Sequence, residues 1–196
     1  MPSDIRTVCV FCGSRAGHDP AHAEVARQLG RRMAENGMTL IFGGGKVGLM
    51  GVIADAVLGA GGTAIGVIPR LLEEIEVGHT GLSTLEVVET MHQRKERMYA
   101  LSDAFVVLPG GIGTLDEAFE ILTWRHLQLH AKPIVVLDRA GYWRPLAALL
   151  DNVVAGGFAG SAVHGYLTFT EDAQGTIEAL TRPAPTAAAP SHPLDD

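Results

Sequence analysis

Residues 104–117 read AFVVLPGGIGTLDE, and the fold follows from how this stretch is built. The run Ala104–Leu108 is apolar without alternation and passes into a proline, a cluster of glycines and a Thr-x-x-Glu. A strand covered on both faces needs such a continuous run, and a glycine turn before helix-compatible sequence marks a strand-to-helix transition. The same grammar extends outward in both directions. Strands are expected at Thr7–Phe11, Thr39–Phe42, Thr63–Ile68, Leu85–Val88, Pro133–Leu137 and Tyr166–Phe169, with helices near 20–36, 48–60, 90–102, 114–129, 143–155 and 171–181. This alternation predicts an α/β protein with a doubly wound, mostly parallel, Rossmann-like sheet. One domain is expected over residues 1–181. The stretch from Arg182 to Asp196, RPAPTAAAPSHPLDD, is poor in large apolar groups and reads as a disordered tail.

The bulk composition agrees with a single folded domain. Of 196 residues, 47% are hydrophobic and 19% charged, enough apolar material for one buried core. The net charge of −7 argues against a general nucleic-acid surface, so an anionic ligand would need a local site. Mean hydropathy is +0.20, yet no apolar run approaches the ~20 residues of a membrane span. The opening MPSDIRTVCVFC carries an acid and runs into a strand, so no signal peptide is expected and the cytoplasm is the default location. Cys9 and Cys12 form a C-x-x-C, but residues three apart on a strand point to opposite faces. A zinc site would also need a second pair, which the sequence lacks. No metal or redox role is expected of them.

Ligands of doubly wound sheets bind beyond the carboxyl ends of the strands. Three of those ends are rich in glycine: FCGSRAG (11–17), FGGGKVGLMG (42–51) and LPGGIGTLDE (108–117). Glycines admit close backbone approach, and a helix N-terminus offers N–H groups to a phosphate. Gly43-x-Gly45-x-x-Gly48 fits the dinucleotide pattern but follows the second strand. The acid expected at the next strand end is replaced by Pro69 and Arg70, which leaves only a weak nicotinamide reading. In ETMHQRKERM (89–98), Thr90 and Gln93 form a capping box. Arg94, Lys95 and Arg97 then crowd the first turns against the helix dipole. They form either a solvated basic face or a contact to a bound anion and its sugar. For the last loop, Thr114 is expected as N-cap with Glu117 at the third helical position. Glu117 then either closes a capping box or turns toward a sugar, where a carboxylate can stabilise cationic charge or activate water. On the helix that follows, Leu115, Ala118, Phe119 and Leu122 form one apolar stripe, and Ile121, Trp124 and Leu127 another. The second stripe predicts a further partner, expected to be a second copy in a homodimer.

These motifs together resemble one family. PGGIGTLDE fits PGGxGTxxE, MHQRK precedes it at the family's interval, and CVFCGS and FGGGKVGLMG complete the set. From about Val8 to Phe158 the chain resembles the LOG (LONELY GUY) family of cytokinin riboside 5′-monophosphate phosphoribohydrolases, often mislabelled lysine decarboxylases. The resemblance implies cleavage of an N6-substituted AMP to free base and ribose 5-phosphate, with a small-molecule nucleotide substrate and neither metal nor other cofactor. Carried over by position, it implies Arg94 and Glu117 as the catalytic pair. The loop Gly110, Gly111, Ile112, Gly113, Thr114, Leu115 and Asp116 would hold the substrate, chiefly its phosphate, with Lys95 assisting. Glu76 (in EVGH) and Thr123 would make further contacts, and Gly13, Ser14, Gly43, Gly44 and Gly45 would line the pocket. Asp116 stands where glutamate is common, and TWRHLQLH (123–130) replaces the usual TWAQLGIH at an expected subunit contact. The rival readings are two. A pyridoxal-phosphate decarboxylase would need a Schiff-base lysine with an acidic ring partner, to be found among Lys46, Lys95 and Lys132. A non-catalytic nucleotide or molybdenum-cofactor carrier would not require both Arg94 and Glu117.

Overall fold

Strands that are apolar on every residue can be stable only inside a three-layer arrangement, and the computed structural model shows one. It describes residues 5–73 and 78–182. In chain order the elements are β1 (Thr7–Phe11), α1 (Pro20–Glu35), β2 (Thr39–Phe42), α2 (Gly48–Gly59), β3 (Ala64–Pro69), α3 (Arg70–Glu73), β4 (Thr84–Val88) and α4 (Met91–Ala100). They continue as β5 (Ala104–Val107), α5 (Ile112–His126), β6 (Ile134–Leu137), α6 (Arg144–Ala155), β7 (Thr168–Thr170) and α7 (Ala173–Thr181). The seven strands form one parallel sheet in the order β4-β3-β2-β1-β5-β6-β7. The chain starts in the middle, winds out to β4, and returns to β5 on the other side of β1. The loops after β1 and β5 therefore leave neighbouring strands in opposite directions, which opens a crevice between them.

Both faces of the sheet are packed. Val8 and Val10 join α1, α2 and α7 residues such as Leu29, Ile53 and Ile177 in one core. Cys9 and Phe11 face the other core, with Met98 of α4, Ile121 of α5 and Leu150 of α6. Cys12 lies with the first core and Cys9 with the second, and both are free thiols, so the C-x-x-C does not converge. Helix starts follow local chemistry where side chains supply it. Asp19 caps α1 through Ala21 N at 2.8 Å, with Pro20 as the first helical residue. Thr90 and Gln93 form the reciprocal capping box of α4.

Three local expectations need correction. β7 starts at Thr168, because Ser161–Gly165 form a tight 3-10 turn that holds Tyr166 in helical geometry. Helix α5 starts at Ile112 with Gly111 as its N-cap, so Thr114 is not the cap and Glu117 is not in a capping box. The turn tightens early because Thr114 packs onto the bare Gly110 backbone, where a Cβ would stand 2.0 Å from Thr114 Oγ1. The supposed second stripe of α5 is also largely met by the same chain. Ile121 is buried in the core and Trp124 packs edge-on against Tyr99, their rings 4.9 Å apart, while Leu127 stays 51% exposed. The expected tail from 182 onward lies, beyond Arg182, outside the described residues. No helix among the described residues is long and apolar enough to cross a membrane.

Candidate active site

The carboxyl edge of the sheet brings together segments that are far apart in sequence. Leu49 N donates to Gly13 O and Gly13 N donates to Pro109 O, each at 3.0 Å, so the loops after β1, β2 and β5 are stitched to each other. The first and last of these loops line a cleft of about 700 Å³ with residues 13–19, His22, Leu49, Pro109, Gly110, Gly111 and Tyr142. Gly13, Ser14, Gly110 and Gly111 thus share one cavity. Ideal Cβ atoms on Gly111 and Gly113 would meet nothing within 4 Å, so this backbone is open to approach. Among the described residues no side chain caps the N-terminus of α5, and such a helix start offers N–H groups to an anion.

On α4 and α5 lies a buried ion pair. Arg94 and Glu117 are 5% and 8% exposed, and Arg94 Nη2 stands 3.6 Å from Glu117 Oε1. Arg94 Nε is buried with no hydrogen-bond partner among the described residues. A buried donor left unpaired is costly, so this Nε calls for an acceptor other than the described side chains. Its position depends on Gly43, whose missing side chain makes room for it. Cys9 lies close beneath; burial, reinforced by the Glu117 carboxylate, pushes its thiol well up and keeps it protonated.

The other expected site residues divide. Gly43, Gly44 and Gly45 are buried under neighbouring chain: Gly44 O accepts from His79 N, and Gly45 bridges to Gly78. Leu115 is half-buried and packs on the core of the α5 side. Lys95 contacts Asp116 at 3.3 Å and Glu120 at 3.1 Å. Its burial would lower the ammonium pKa, but the two carboxylates outweigh that and raise it. Thr123 is exposed and donates to Phe119 O at 2.7 Å. Six residues along α5 place it ~9 Å beyond Glu117, so one chain does not bring it to the pair. Glu76 lies outside the described residues. Two contributors were not anticipated. Tyr142 donates its hydroxyl to Gly110 O at 2.6 Å; its signal was an aromatic just past a strand at the ligand edge. Glu120 was signalled by its place one turn after Asp116, on the same helix face.

Two of the three lysines are engaged by neighbouring groups of the chain. Lys95 is held by carboxylates, Lys46 is exposed, and Lys132 donates to Tyr99 O at 2.8 Å with its Nζ 3.8 Å from the Tyr99 ring centre. Arg70 pairs with Glu89 at 3.4 Å.

Fold and site together define a Rossmann-like α/β protein with an open glycine-rich helix end beside a buried Arg–Glu pair. The family described as "Possible lysine decarboxylase" matches residues 50–180. The chain is 44% identical over 179 residues to the cytokinin riboside 5′-monophosphate phosphoribohydrolase of Rhodococcoides fascians, covering 91% of this chain and 90% of that one. It is 42% identical over 156 residues to an Arabidopsis thaliana protein of the same name, covering 80% and 72%. The chain belongs to this phosphoribohydrolase family. Among solved structures, the molybdenum cofactor binding protein of Rippkaea orientalis aligns with a TM-score of 0.68 at 21% identity, over 90% of this chain and 95% of that one. The molybdenum cofactor carrier protein of Chlamydomonas reinhardtii aligns at 0.68 and 23%, over 89% and 95%. At such identity the likeness is one of fold.

Proposed function

We propose that this protein hydrolyses the N-glycosidic bond of N6-substituted adenosine 5′-monophosphates, and of AMP itself, to the free base and ribose 5-phosphate. The observation that carries this reading is the buried Arg94, whose Nε has no partner among the described residues, facing buried Glu117 beside the start of α5, which no described side chain caps. A phosphate carrier needs the helix end but has no use for a carboxylate next to it. In the reaction, the bond between the sugar's anomeric carbon and the base breaks while water adds to that carbon. The hydroxyl stays on the sugar and the remaining proton ends on the base. Backbone N–H groups at Gly111–Thr114 hold the phosphate, Arg94 orients the sugar hydroxyls, and Glu117 stabilises the cationic sugar or positions the water. The relatives' names support the substrate class.

The same reading takes the enzyme to work in the cytoplasm, a reducing setting suited to two buried thiols, and as a homodimer. Support for the dimer comes from Leu127 and Leu129, 51% and 65% exposed near the end of α5, and Ile112, 82% exposed at its start. The test is incubation with AMP and isopentenyl-AMP, followed by chromatography for free base and assay of ribose 5-phosphate. Both products should appear together, with or without EDTA. Loss of activity in EDTA that added metal restores would point to a metal-dependent reaction instead.

A further inference from the structure

Arg94 and Lys95 are consecutive on α4, and Asp116 and Glu117 are consecutive on α5. The two helices therefore face each other through two rungs, Arg94–Glu117 and Lys95 with Asp116 and Glu120. The rungs differ in kind. At 3.6 Å the Arg94–Glu117 contact is too long for a hydrogen bond and does not by itself set the spacing of the two side chains. Lys95 makes closer contacts, 3.1 and 3.3 Å, with only 13% of its side chain exposed. Beyond these rungs the two helices share apolar packing, with Met98 of α4 in the same core as Ala118 and Ile121 of α5, and among the described residues no other ion pair links them near the site. α4 rests chiefly on β3 and β4, and the Tyr99–Trp124 ring contact links the helices at their far ends.

We infer that Lys95 is a positioning residue, a strut between α4 and α5 that sets Arg94 and Glu117 at their working separation, and not a ligand of the substrate phosphate. This rests on the hydrolase reading above. Both carboxylates that hold Lys95 are on the helix that carries Glu117, one of them on the adjacent residue. A lysine neutralised by two carboxylates also has little net charge to offer a phosphate. Misplacing a catalytic group by about an ångström can cost on the order of 100-fold in rate while leaving binding contacts in place.

The experiment compares Lys95→Met, the pair Asp116→Asn with Glu120→Gln, and all three changes together, reading kcat and KM separately on AMP. Lys95→Met is expected to lower kcat by roughly 10- to 100-fold with KM within about twofold of the parent. The carboxylate pair should lower kcat comparably, although it leaves the lysine in place. The triple variant should be no worse than either, because all remove one shared interaction. Lys95→Arg, which keeps a cation able to reach both carboxylates, should return turnover to within about threefold of the parent. A raised KM with unchanged kcat in Lys95→Met, or a carboxylate pair with parental kcat, would overturn the strut and put Lys95 on the phosphate. Near-ultraviolet circular dichroism checks that each variant is folded, and if Lys95→Met is not, the carboxylate pair decides alone. If the parent releases no base from any 5′-monophosphate, the hydrolase reading fails. The strut is then judged from urea midpoints, where additive losses for Lys95→Met and the carboxylate pair would sink it.

Discussion

A Cβ on Gly43 would stand 1.9 Å from Arg94 Nη2 and 3.0 Å from Arg94 Cζ, so the guanidinium occupies the space that any larger residue would need. The glycine at the end of β2 is thus a mould for the arginine of α4. Gly43→Ala should push the guanidinium out of place and bring turnover of AMP to within about threefold of that of Arg94→Ala. Adding Gly43→Ala to Arg94→Ala should then cost nothing more. Free-base release by the two single variants and the double variant checks this. Near-parental turnover in Gly43→Ala would show that Arg94 works from another position.

Glu117 is buried beside a cation and does not cap α5, which changes what its substitution should do. Glu117→Gln keeps the shape but leaves Arg94 without its countercharge, at a cost of roughly 1–3 kcal/mol. Turnover should fall by about two orders of magnitude or more if the charge meets the developing sugar cation. Urea unfolding and product release measure the two effects separately. A variant within roughly threefold of the parental rate would remove Glu117 from the chemistry.

The open helix end predicts dependence on the phosphate. Binding energy from that remote group can be used to position the sugar, so a substrate lacking it should lose rate as well as affinity. Adenosine should be cleaved with kcat/KM lower than AMP by on the order of 100-fold. Equal rates on the two would mean that the glycine loop does not hold a phosphate.

Asp103 ties the start of β1 to β5, accepting from Arg6 N at 3.0 Å, Thr7 N at 2.9 Å and Thr7 Oγ1 at 2.8 Å. Burial alone would raise its carboxyl pKa, but these hydrogen bonds outweigh it and hold the group below its usual value. A depressed folded pKa gives stability that is full above the unfolded value and lost as pH falls through the folded one. Asp103→Asn should therefore cost ~1–2 kcal/mol near neutrality. The gap to the parent should close only below about pH 4. Urea midpoints between pH 3 and pH 7 test this, and a gap independent of pH would mean that the ionised carboxylate is not what matters.

Among the described residues, Leu127 and Leu129 are large apolar side chains left exposed near the α5 end. Sedimentation at micromolar concentration should give a dimer, and Leu127→Glu with Leu129→Glu should shift it toward monomer. A monomeric parent would rule the dimer out.

The sheet was readable in the sequence because its inner strands, β1, β2, β3, β5 and β6, are buried on both faces. Thr7–Phe11 and Thr39–Phe42 are apolar after their first residue and end where predicted. The Thr90–Gln93 box was equally legible, since a cap is made within four residues. Arg94 and Glu117 were marked by their motifs, but the residues alone left each with two roles. The start of α5 was misread because Thr-x-x-Glu is a valid cap by local rules. What shifted the helix start is the packing of Thr114 on Gly110.

The sequence by itself determined the α/β class, the parallel winding, the glycine-rich ligand edge and the divergence of Cys9 from Cys12, because each depends on periodicity and chain geometry over a few residues. Only the tertiary structure decided that Arg94 fills the space above Gly43, that it faces Glu117, and that Lys95 spans to Asp116 and Glu120. Those contacts join β2, α4 and α5, which meet only after the chain has wound out to β4 and crossed back to β5. The roles of these side chains follow from which strand ends become neighbours, and no local pattern records that.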